Sequence, residues 1–518
     1  MKATKSVLSV CIALALLLIP VFSVFGGAVS APETVTRDCP EIYVHGFMAS
    51  RILYDKDDPS KGYVWDWSTE EITDLIKTAL PIMAKYFFMS DWDGMAEEIT
   101  PLVLDFFDGC VMNPDGSAPG NSGVDFTYPP ANSIKKNSKL DFNYDWRSDP
   151  MQCAEELNDF INYVLRCSGS DQVTLTCHSQ GGVVTTAYIS VYGDSKIRSV
   201  VYNTTAIYGE TYTGELLSGK MTLNADAVEY YLQSLFEGME YEKLLNGIMK
   251  VSNDLGLLDF ICDFGNVALE KLSPKLLPNV VVPLFGHMPS IWAMCPDEYL
   301  DDARDYVFNT IYKDSDIDHS GLIEKLDNYD TVVRAHKTET LLQLNEDAFM
   351  YVFSRYGYSS LFLIPSYTSL SDSVIDTKYS SFGATAAEFG KTLTDEELAG
   401  ADMKHVSPDR MVNANTCLFP EQTWFFKDFP HSVNSPLRDM MDVLLYTDFQ
   451  ATVDTYDEYP QFMQYDRESD TVSPYTAEQA AADRPWYVKF MDWLTAFSEK
   501  LTELFERIGR LIASVRSI

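Results

Sequence analysis

Ser179 is the residue whose surroundings point most clearly to chemistry. It lies in the hexapeptide CHSQGG (residues 177–182), after an apolar run at residues 172–177 and before a stretch that can be helical at residues 183–192. A strand, a tight turn and a helix in this order are typical of a nucleophile elbow. The turn needs small residues two positions before and after the serine; Gly181 meets this need and Cys177 meets it only partly. The alternative is a serine that caps a helix.

A second turn could supply the anion-binding part of such a site. The predicted strand at residues 41–45 (EIYVH) ends at His45, Gly46 and Phe47. The glycine lets the chain turn so that the next amide can point into the site. We therefore predict that the Phe47 and Gln180 N–H groups form an oxyanion hole, supported by the neighbouring His45, Gly46 and His178. A plain turn after a strand is the alternative.

A serine nucleophile needs an imidazole base held in the right tautomer by a carboxylate. The chain has seven histidines, and His431 is the last of them, with three residues between it and the predicted strand at 422–427. His45 and His178 neighbour the two turns, and three further histidines fall in a helical region, where a structural role is expected. His431 is the predicted base, and His405 is the alternative.

The acid is sought on a loop that can reach the histidine. Asp409 lies in SPDRMV (residues 407–412), a loop that leads towards the strand at 422–427 and precedes His431 by 22 residues. Asp409 is the predicted acid, although an aspartate after proline is also common in ordinary turns. Asp402, in an acidic and helical pattern, is the nearest alternative, and Asp372 and Asp376 are further ones.

The elements that must position these residues form an alternating pattern. Short β-branched or aromatic runs at residues 41–45, 139–146, 172–177 and 197–203 predict strands, and helical spacing at 150–167 predicts a crossover helix. Such alternation is typical of βαβ units and a parallel sheet. Sheet character resumes at residues 360–366 and 422–427, so residues 209–355 are predicted to be a helical insertion within one domain at 31–447. Residues 448–484 are predicted to be an acidic linker.

The two ends of the chain differ from this pattern. Residues 1–30 combine early lysines with an apolar run and small residues, which predicts a secretory signal peptide; an uncleaved anchor is the alternative. Export to the outside of a cell is therefore expected. Residues 485–518 carry apolar residues at a strict 4,3 spacing and predict an amphipathic helix. Residues 486–518 could contact a membrane surface, dock on the body of the protein or self-associate.

Charge and cysteine usage exclude several classes of function. The formal net charge is −37, so a footprint for phosphate backbones is missing and nucleic acid is an unfavourable partner. The eight cysteines after the leader form no CxxC pair, and no histidine pair lies near them, so no metal site is expected and no cofactor is implied. Disulfides are permitted by export. Residues 314–321 look like the start of a calcium loop, but His319 and Lys325 occupy the positions of its glycine and glutamate.

Three motifs carry a resemblance to a known family. The motifs are FNYDWR (residues 142–147), PSIWAMCP (residues 289–296) and DRMVN (residues 409–413). They resemble segments of lipases related to lecithin:cholesterol acyltransferase and lysosomal phospholipase A2, within the α/β-hydrolase superfamily. The resemblance covers roughly residues 40–431. It implies an α/β-hydrolase fold, a mostly parallel sheet flanked by helices with a large helical cap inserted between strands. It also implies Ser179 as nucleophile, Asp409 as acid and His431 as base.

The function expected from these observations is that of a secreted serine esterase or lipase. The insertion is rich in apolar residues that could line an acyl-chain pocket or form ordinary helical core. The family resemblance favours a lipid ester, with hydrolysis or transfer to an alcohol through an acyl-serine intermediate. The alternatives are a catalytically silent module that binds lipid or a surface, and an amidase or thioesterase with the same three residues.

Overall fold

One sheet organises the molecule. The computed structural model describes residues 36–64, 69–236 and 242–483, so the predicted leader and terminal amphipathic helix lie outside the described residues. Within these, eight strands form a sheet with the order β8-β7-β6-β5-β4-β3-β1-β2, parallel throughout except for the β7–β8 pair. The strands are β1 (Glu41–Val44), β2 (Lys139–Phe142), β3 (Val173–His178), β4 (Ile197–Asn203), β5 (Phe349–Tyr356), β6 (Thr423–Lys427), β7 (Phe462–Asp466) and β8 (Thr471–Pro474).

Helices account for most of the remaining regular structure. Three-residue 3-10 turns and three two-stranded ribbons join them. The α-helices are α1 (Thr69–Met89), α2 (Trp92–Phe106), α3 (Pro150–Ser168), α4 (Gln180–Tyr192), α5 (Thr211–Leu217), α6 (Ala225–Phe236), α7 (Glu242–Asp254), α8 (Leu257–Leu276), α9 (Pro289–Ala293), α10 (Asp297–Arg304), α11 (Ser320–Val332), α12 (Lys337–Asp347), α13 (Thr377–Ser380), α14 (Arg438–Leu445) and α15 (Ala477–Asp483), with π-helical segments at Leu277–Gly286 and Asp305–Ile311.

The central strands are buried on both faces. Alternate residues of β4 belong to different cores: Val200 packs with α3 and α4 on one face, and Val201 packs with α14 on the other. Parallel sheets need such cover because neither face can meet water without exposing apolar side chains. The helix α3 begins where Asp149 accepts a hydrogen bond from the Met151 N–H, and it ends at Gly169 in the left-handed conformation. A mostly parallel sheet flanked by helices is the predicted fold class.

The helical insertion lies between β4 and β5. Its helices α5 to α12 extend from Thr211 to Asp347, close to the predicted limits of 209–355. The last residues of the predicted insertion belong instead to β5, a buried strand of eight residues. Residues 360–366, predicted as a strand, form none; the chain has already left the sheet at Tyr356. This difference of position becomes important for the acid of the site.

The predicted linker at 448–484 is wrong, because this segment completes the sheet. Strand β7 pairs in parallel with β6, β8 pairs with β7 in the antiparallel sense, and α15 follows. Apolar residues of β7, Met463 and Tyr465 among them, pack against the α14 side of the sheet. Acidic residues such as Asp466 and Asp470 lie at the turn between the two strands, and they dominate the composition of the segment.

Within the described residues, no cluster of three or more histidine, cysteine or acidic side chains is arranged to hold a metal ion. None of the helices in the described ranges is both long enough and apolar enough to span a membrane. The described cysteines are all free thiols, and seven of the eight are buried.

Candidate active site

Ser179 occupies a sharp turn between β3 and α4. Its backbone has φ 55° and ψ −125°, a conformation that costs a residue with a side chain about 1 to 3 kcal/mol. Neighbouring backbone holds it there, since the Ser179 N–H donates to Asn203 O at 3.2 Å and the Ala206 N–H donates to Ser179 O at 3.3 Å. The surrounding structure therefore imposes the geometry expected of a nucleophile elbow.

Close packing explains why small residues surround the serine. A Cβ atom on Gly181 would lie 2.2 Å from Val44 O, and one on Gly46 would lie 2.9 Å from Ser179 Cβ. Neither position has room for a side chain. Cys177, the departure from a glycine two residues before the serine, is fully buried, with its Sγ 3.5 Å from Val201 O. The thiol is therefore accommodated within the sheet.

His431 follows β6 and is paired with a carboxylate. Its Nδ1 lies 2.7 Å from Asp372 Oδ2, and its backbone N–H donates to Asp372 O at 3.1 Å. His178, directly before the serine, has its Nε2 3.0 Å from His431 O, and the two rings are 4.7 Å apart. The structure thus brings Ser179 and His431 to the same end of the sheet, where His178, the neighbour of the serine, contacts His431.

Asp372 is fully buried in the turn that follows the ribbon strand Leu370–Ser371, in the connection after β5. Its Oδ2 also accepts from Thr204 Oγ1 at 2.5 Å, and its Oδ1 accepts from the backbone N–H groups of Val374 and Ile375 at 3.0 and 2.7 Å. Burial acts to raise the pKa of Asp372, but the His431 charge and these hydrogen bonds outweigh burial and lower the pKa to about 2. The carboxylate is therefore ionised at neutral pH and oriented towards the imidazole.

The prediction that Asp409 pairs with His431 is wrong. Asp409 Oδ2 lies 3.3 Å from Lys427 Nζ and 3.5 Å from the Tyr475 hydroxyl, which donates to it, while its Oδ1 accepts from Ser407 Oγ at 2.6 Å. Both oxygens are thus engaged with groups other than the histidine. Asp409 is a structural aspartate that joins its loop to β6 and to the end of β8.

The acid was assigned to the wrong one of two loops. The sequence favours Asp409 because its loop leads into the strand before His431, and it leaves Asp372 and Asp376, after the predicted strand at 360–366, as alternatives. In the structure the strand is β5, and after it a two-stranded ribbon ends at Ser371 and carries Asp372 next to His431. The run SLSDSVID (residues 369–376) holds two aspartates in an ordinary turn sequence. The signal that could have distinguished Asp372 was its place after a buried strand adjacent to β6.

The two predicted oxyanion donors lie on the turns that follow β1 and β3. Within residues 36–483 as described, neither the Phe47 nor the Gln180 N–H has an acceptor in the protein. The Gln180 side chain is anchored instead, with Nε2 donating to Trp146 O at 2.9 Å and Oε1 lying 3.1 Å from the Tyr144 hydroxyl. The Phe47 ring packs against Trp146 at 4.7 Å. Tyr144 and Trp146, which follow β2, thus contact both the Gln180 turn and the Phe47 turn.

The two histidines beside these turns have different environments. Burial, followed by the nearby positive charges of His431 and Arg355, lowers the pKa of His178 well below its usual range. His178 is therefore neutral, and its Nε2–H donates to the His431 carbonyl. His45 lies nearer to solvent, with its Nε2 3.2 Å from Asp141 Oδ1 on β2. His178 thus links the serine turn to the His431 backbone, and His45 links the end of β1 to β2.

Comparison with known proteins supports the same class. The family model described as "alpha/beta hydrolase fold" matches residues 90–246, which include the elbow. No curated protein matches the chain. A chain of the crystal structure of the Tle4-Tli4 complex is similar at 14% sequence identity with a TM-score of 0.19, over 35% of this chain and 48% of that chain. This chain thus spans about half the length of that solved relative.

The sheet, the elbow and the family match define the class of this protein. It has the α/β-hydrolase fold, and the prediction of that fold is confirmed. The match supports a place in the α/β-hydrolase superfamily and hydrolase activity.

Proposed function

We propose that this chain is a serine carboxylic-ester hydrolase that acts on lipid esters through an acyl-serine intermediate. The observation that carries the proposal is that the bonded pair of His431 and the buried Asp372 lies at the same end of the sheet as the strained Ser179, whose neighbour His178 contacts His431 O. A serine hydroxyl becomes an effective nucleophile when such a base accepts its proton.

The proposed reaction has two halves. Ser179 Oγ attacks the ester carbonyl carbon as His431 accepts the hydroxyl proton, and Asp372 stabilises the imidazolium that forms. The Phe47 and Gln180 N–H groups donate to the oxyanion of the tetrahedral intermediate. His431 then gives the proton to the leaving alcohol as the carbon–oxygen bond breaks. Water, activated by the same histidine, releases the acid; an alcohol in place of water would give acyl transfer.

A lipid ester as substrate is supported by the surface of the cap. Residues of α7, α8 and the turn between them expose large apolar side chains, and we call this set the cap apolar face. Single exposed apolar residues are common on proteins, whereas a contiguous group indicates contact with something apolar. The resemblance to acyltransferase-related lipases points in the same direction. The cap apolar face comprises Leu244, Ile248, Val251, Leu255, Leu257, Phe260 and Val267, each between 46% and 71% exposed.

Export is part of the proposal, and it rests on the leader-like residues 1–30. An enzyme outside the cell would meet lipid esters as dispersed or aggregated substrate. Contact of residues 486–518 with such a surface is a further expectation from their apolar spacing.

The proposal is tested by hydrolysis of p-nitrophenyl esters from acetyl to palmitoyl, with the protein lacking residues 1–30. We expect turnover to rise towards long chains and to fall by a factor on the order of 10³ or more in Ser179→Ala. Ser190→Ala is the matched control, because Ser190 lies on the same helix and its Oγ contacts Thr340 Oγ1. Undiminished turnover in Ser179→Ala would overturn the proposal, and a maximum at acetyl would overturn its lipid part.

A further inference from the structure

Arg355, at the end of β5, has its guanidinium in the loop that carries His431. Its Nη1 donates to three backbone carbonyls, those of Pro430 at 2.6 Å, His431 at 3.0 Å and Val433 at 2.7 Å. Its Nη2 donates to the Asn434 side chain at 2.5 Å. One side chain therefore holds most of the loop from residue 430 to residue 434.

This guanidinium is a buried cation that uses carbonyl and amide oxygens as partners. Arg355 is 0% exposed, and among the described residues it has no carboxylate within ion-pair distance. The Phe429 ring covers its Cζ at 4.3 Å. Burial lowers the pKa of Arg355 to about 10, with the nearby charge of Asp372 opposing that effect, so the side chain is charged at neutral pH. Burying a charge in this way is costly unless its hydrogen bonds are satisfied; both Nη groups have partners, whereas Nε has none among the described residues.

The same guanidinium also contacts the strand behind the nucleophile. Its Nη2 donates to Asn203 Oδ1 at 3.0 Å, and Asn203 Nδ2 donates to Asn434 Oδ1 at 2.9 Å. The backbone carbonyl of Asn203 accepts the Ser179 N–H. Arg355 thus connects the backbone that holds the serine with the backbone that holds the histidine.

We propose that Arg355 is a positioning residue that fixes the His431 loop relative to Ser179. The inference rests on the proposed function, because it concerns the alignment of that nucleophile and that base. Arg355 lies behind the loop and touches the backbone of His431, and its partners are the loop and β4. Loss of this side chain therefore misaligns the base, and a misplacement of about 1 Å in such a pair can lower the rate about 10²-fold.

The test compares Arg355→Met and Arg355→Lys with the unchanged protein, using a long-chain p-nitrophenyl ester. In Arg355→Met we expect kcat to fall about 10²-fold with KM unchanged within about threefold, since the side chain acts on the base and leaves substrate contacts intact. Arg355→Lys should recover part of kcat, because a lysine supplies one charged donor in place of the fork. Folding of each variant is checked by circular dichroism, and kcat is referred to folded protein.

Arg334 provides the matched control. It is another mostly buried arginine that binds backbone carbonyls, those of Cys295 and Trp292 at 2.7 Å each, but it lies within the cap and pairs with Asp297 and Asp330. We expect Arg334→Met to lower thermal stability while kcat of the folded protein changes less than about threefold.

The outcomes separate the two proposals. Retention of kcat in folded Arg355→Met, or an equal loss of kcat in Arg334→Met, would overturn the positioning role while leaving the Ser179 chemistry intact. If Arg355→Met does not fold, Arg355→Lys decides: a kcat equal to that of the unchanged protein overturns the inference. Undiminished turnover in Ser179→Ala would instead sink the proposed function itself.

Discussion

The identity of the acid that pairs with His431 is the point on which the sequence prediction and the structure differ most. Asp372 is buried and bonded to the histidine, whereas Asp409 is bonded to Lys427. Both are aspartates on loops at the same end of the sheet, so a comparison of the two isolates the effect of contact with the base. The comparison also tests the mechanism at the level of single atoms.

Asp372→Asn should lower kcat by a factor on the order of 10⁴, because an amide stabilises the wrong tautomer of the imidazole. Asp409→Asn is the matched substitution and should leave kcat within about threefold, since its oxygens contact other groups. Steady-state kinetics with one ester measures both. Equal losses in the two variants would show that the acid acts through structure rather than through the histidine.

The low pKa of Asp372 also predicts a pH dependence of stability. The pKa is about 2 in the folded protein against an ordinary value of 3.8, so the folded state favours the ionised form. This contribution, on the order of 2 kcal/mol, is fully present above about pH 4 and is lost as the pH falls towards 2. Urea unfolding at intervals between pH 5 and pH 2 should show a smaller acid-induced loss for Asp372→Asn than for the unchanged protein. Parallel curves would contradict the prediction.

At the scale of elements, the helices α7 and α8 of the cap have one packed side and one exposed apolar side. One side of α7 and α8 packs on α6 and on neighbouring helices, and the other side is the cap apolar face. A helix hairpin that exposes this much apolar surface to water is expected to bind another apolar surface or phase. The proposed substrate supplies such a phase when it is aggregated.

The double substitution Ile248→Ser and Phe260→Ser should lower turnover of an emulsified long-chain ester several-fold while leaving turnover of dissolved butyryl ester unchanged. Both side chains are more than half exposed, so the fold should tolerate the change. Leu342→Ser on α12 is the control, because Leu342 is 46% exposed but lies outside the cap apolar face. A matching decrease on the dissolved ester would place the effect in the active site instead.

Much of this arrangement could be predicted from the sequence, and the exceptions have physical reasons. The strands β1, β3, β4 and β6 are compact apolar runs beside strong turn signals, and the elbow follows from local sequence alone. Strand β5 was missed because its residues 349–356 follow helix α12 almost directly, without a turn signal. Asp372 was missed as the acid because its role depends on which strands are neighbours. That order is set by tertiary packing.

At the scale of the whole molecule, the sheet is completed by residues 448–484, whose sequence predicted a linker. Strand β7 pairs with β6, which would otherwise be the edge of the sheet. The residues just before β7 also accept hydrogen bonds from β6: the Phe425 N–H donates to Gln461 O at 2.8 Å, and Trp424 Nε1 donates to Tyr459 O at 2.9 Å. The turn between β7 and β8 places acidic residues, Asp466 and Asp470 among them, at this edge of the sheet, where charge disfavours pairing with another strand.

Two truncations test this dependence. A chain ending at residue 483 should keep the melting temperature of the longer protein within about 3 °C, because every strand of the described sheet is retained. A chain ending at residue 447 should unfold at least about 10 °C lower or precipitate, because it exposes β6 as a bare edge and removes Met463 and Tyr465 from the core. Differential scanning calorimetry decides, and similar melting of both chains would show that β7 and β8 are accessory.

The distribution of the thiols has a practical consequence for labelling. Burial raises the pKa of several of them, to about 11 for Cys39 and about 12 for Cys110, Cys262 and Cys417, so they are neutral and poorly reactive in the native state. Of the eight described cysteines, Cys167 alone is partly exposed. Among these eight thiols, a maleimide dye added to the folded protein therefore finds one accessible anchor, at the end of α3, without any engineering of the other seven.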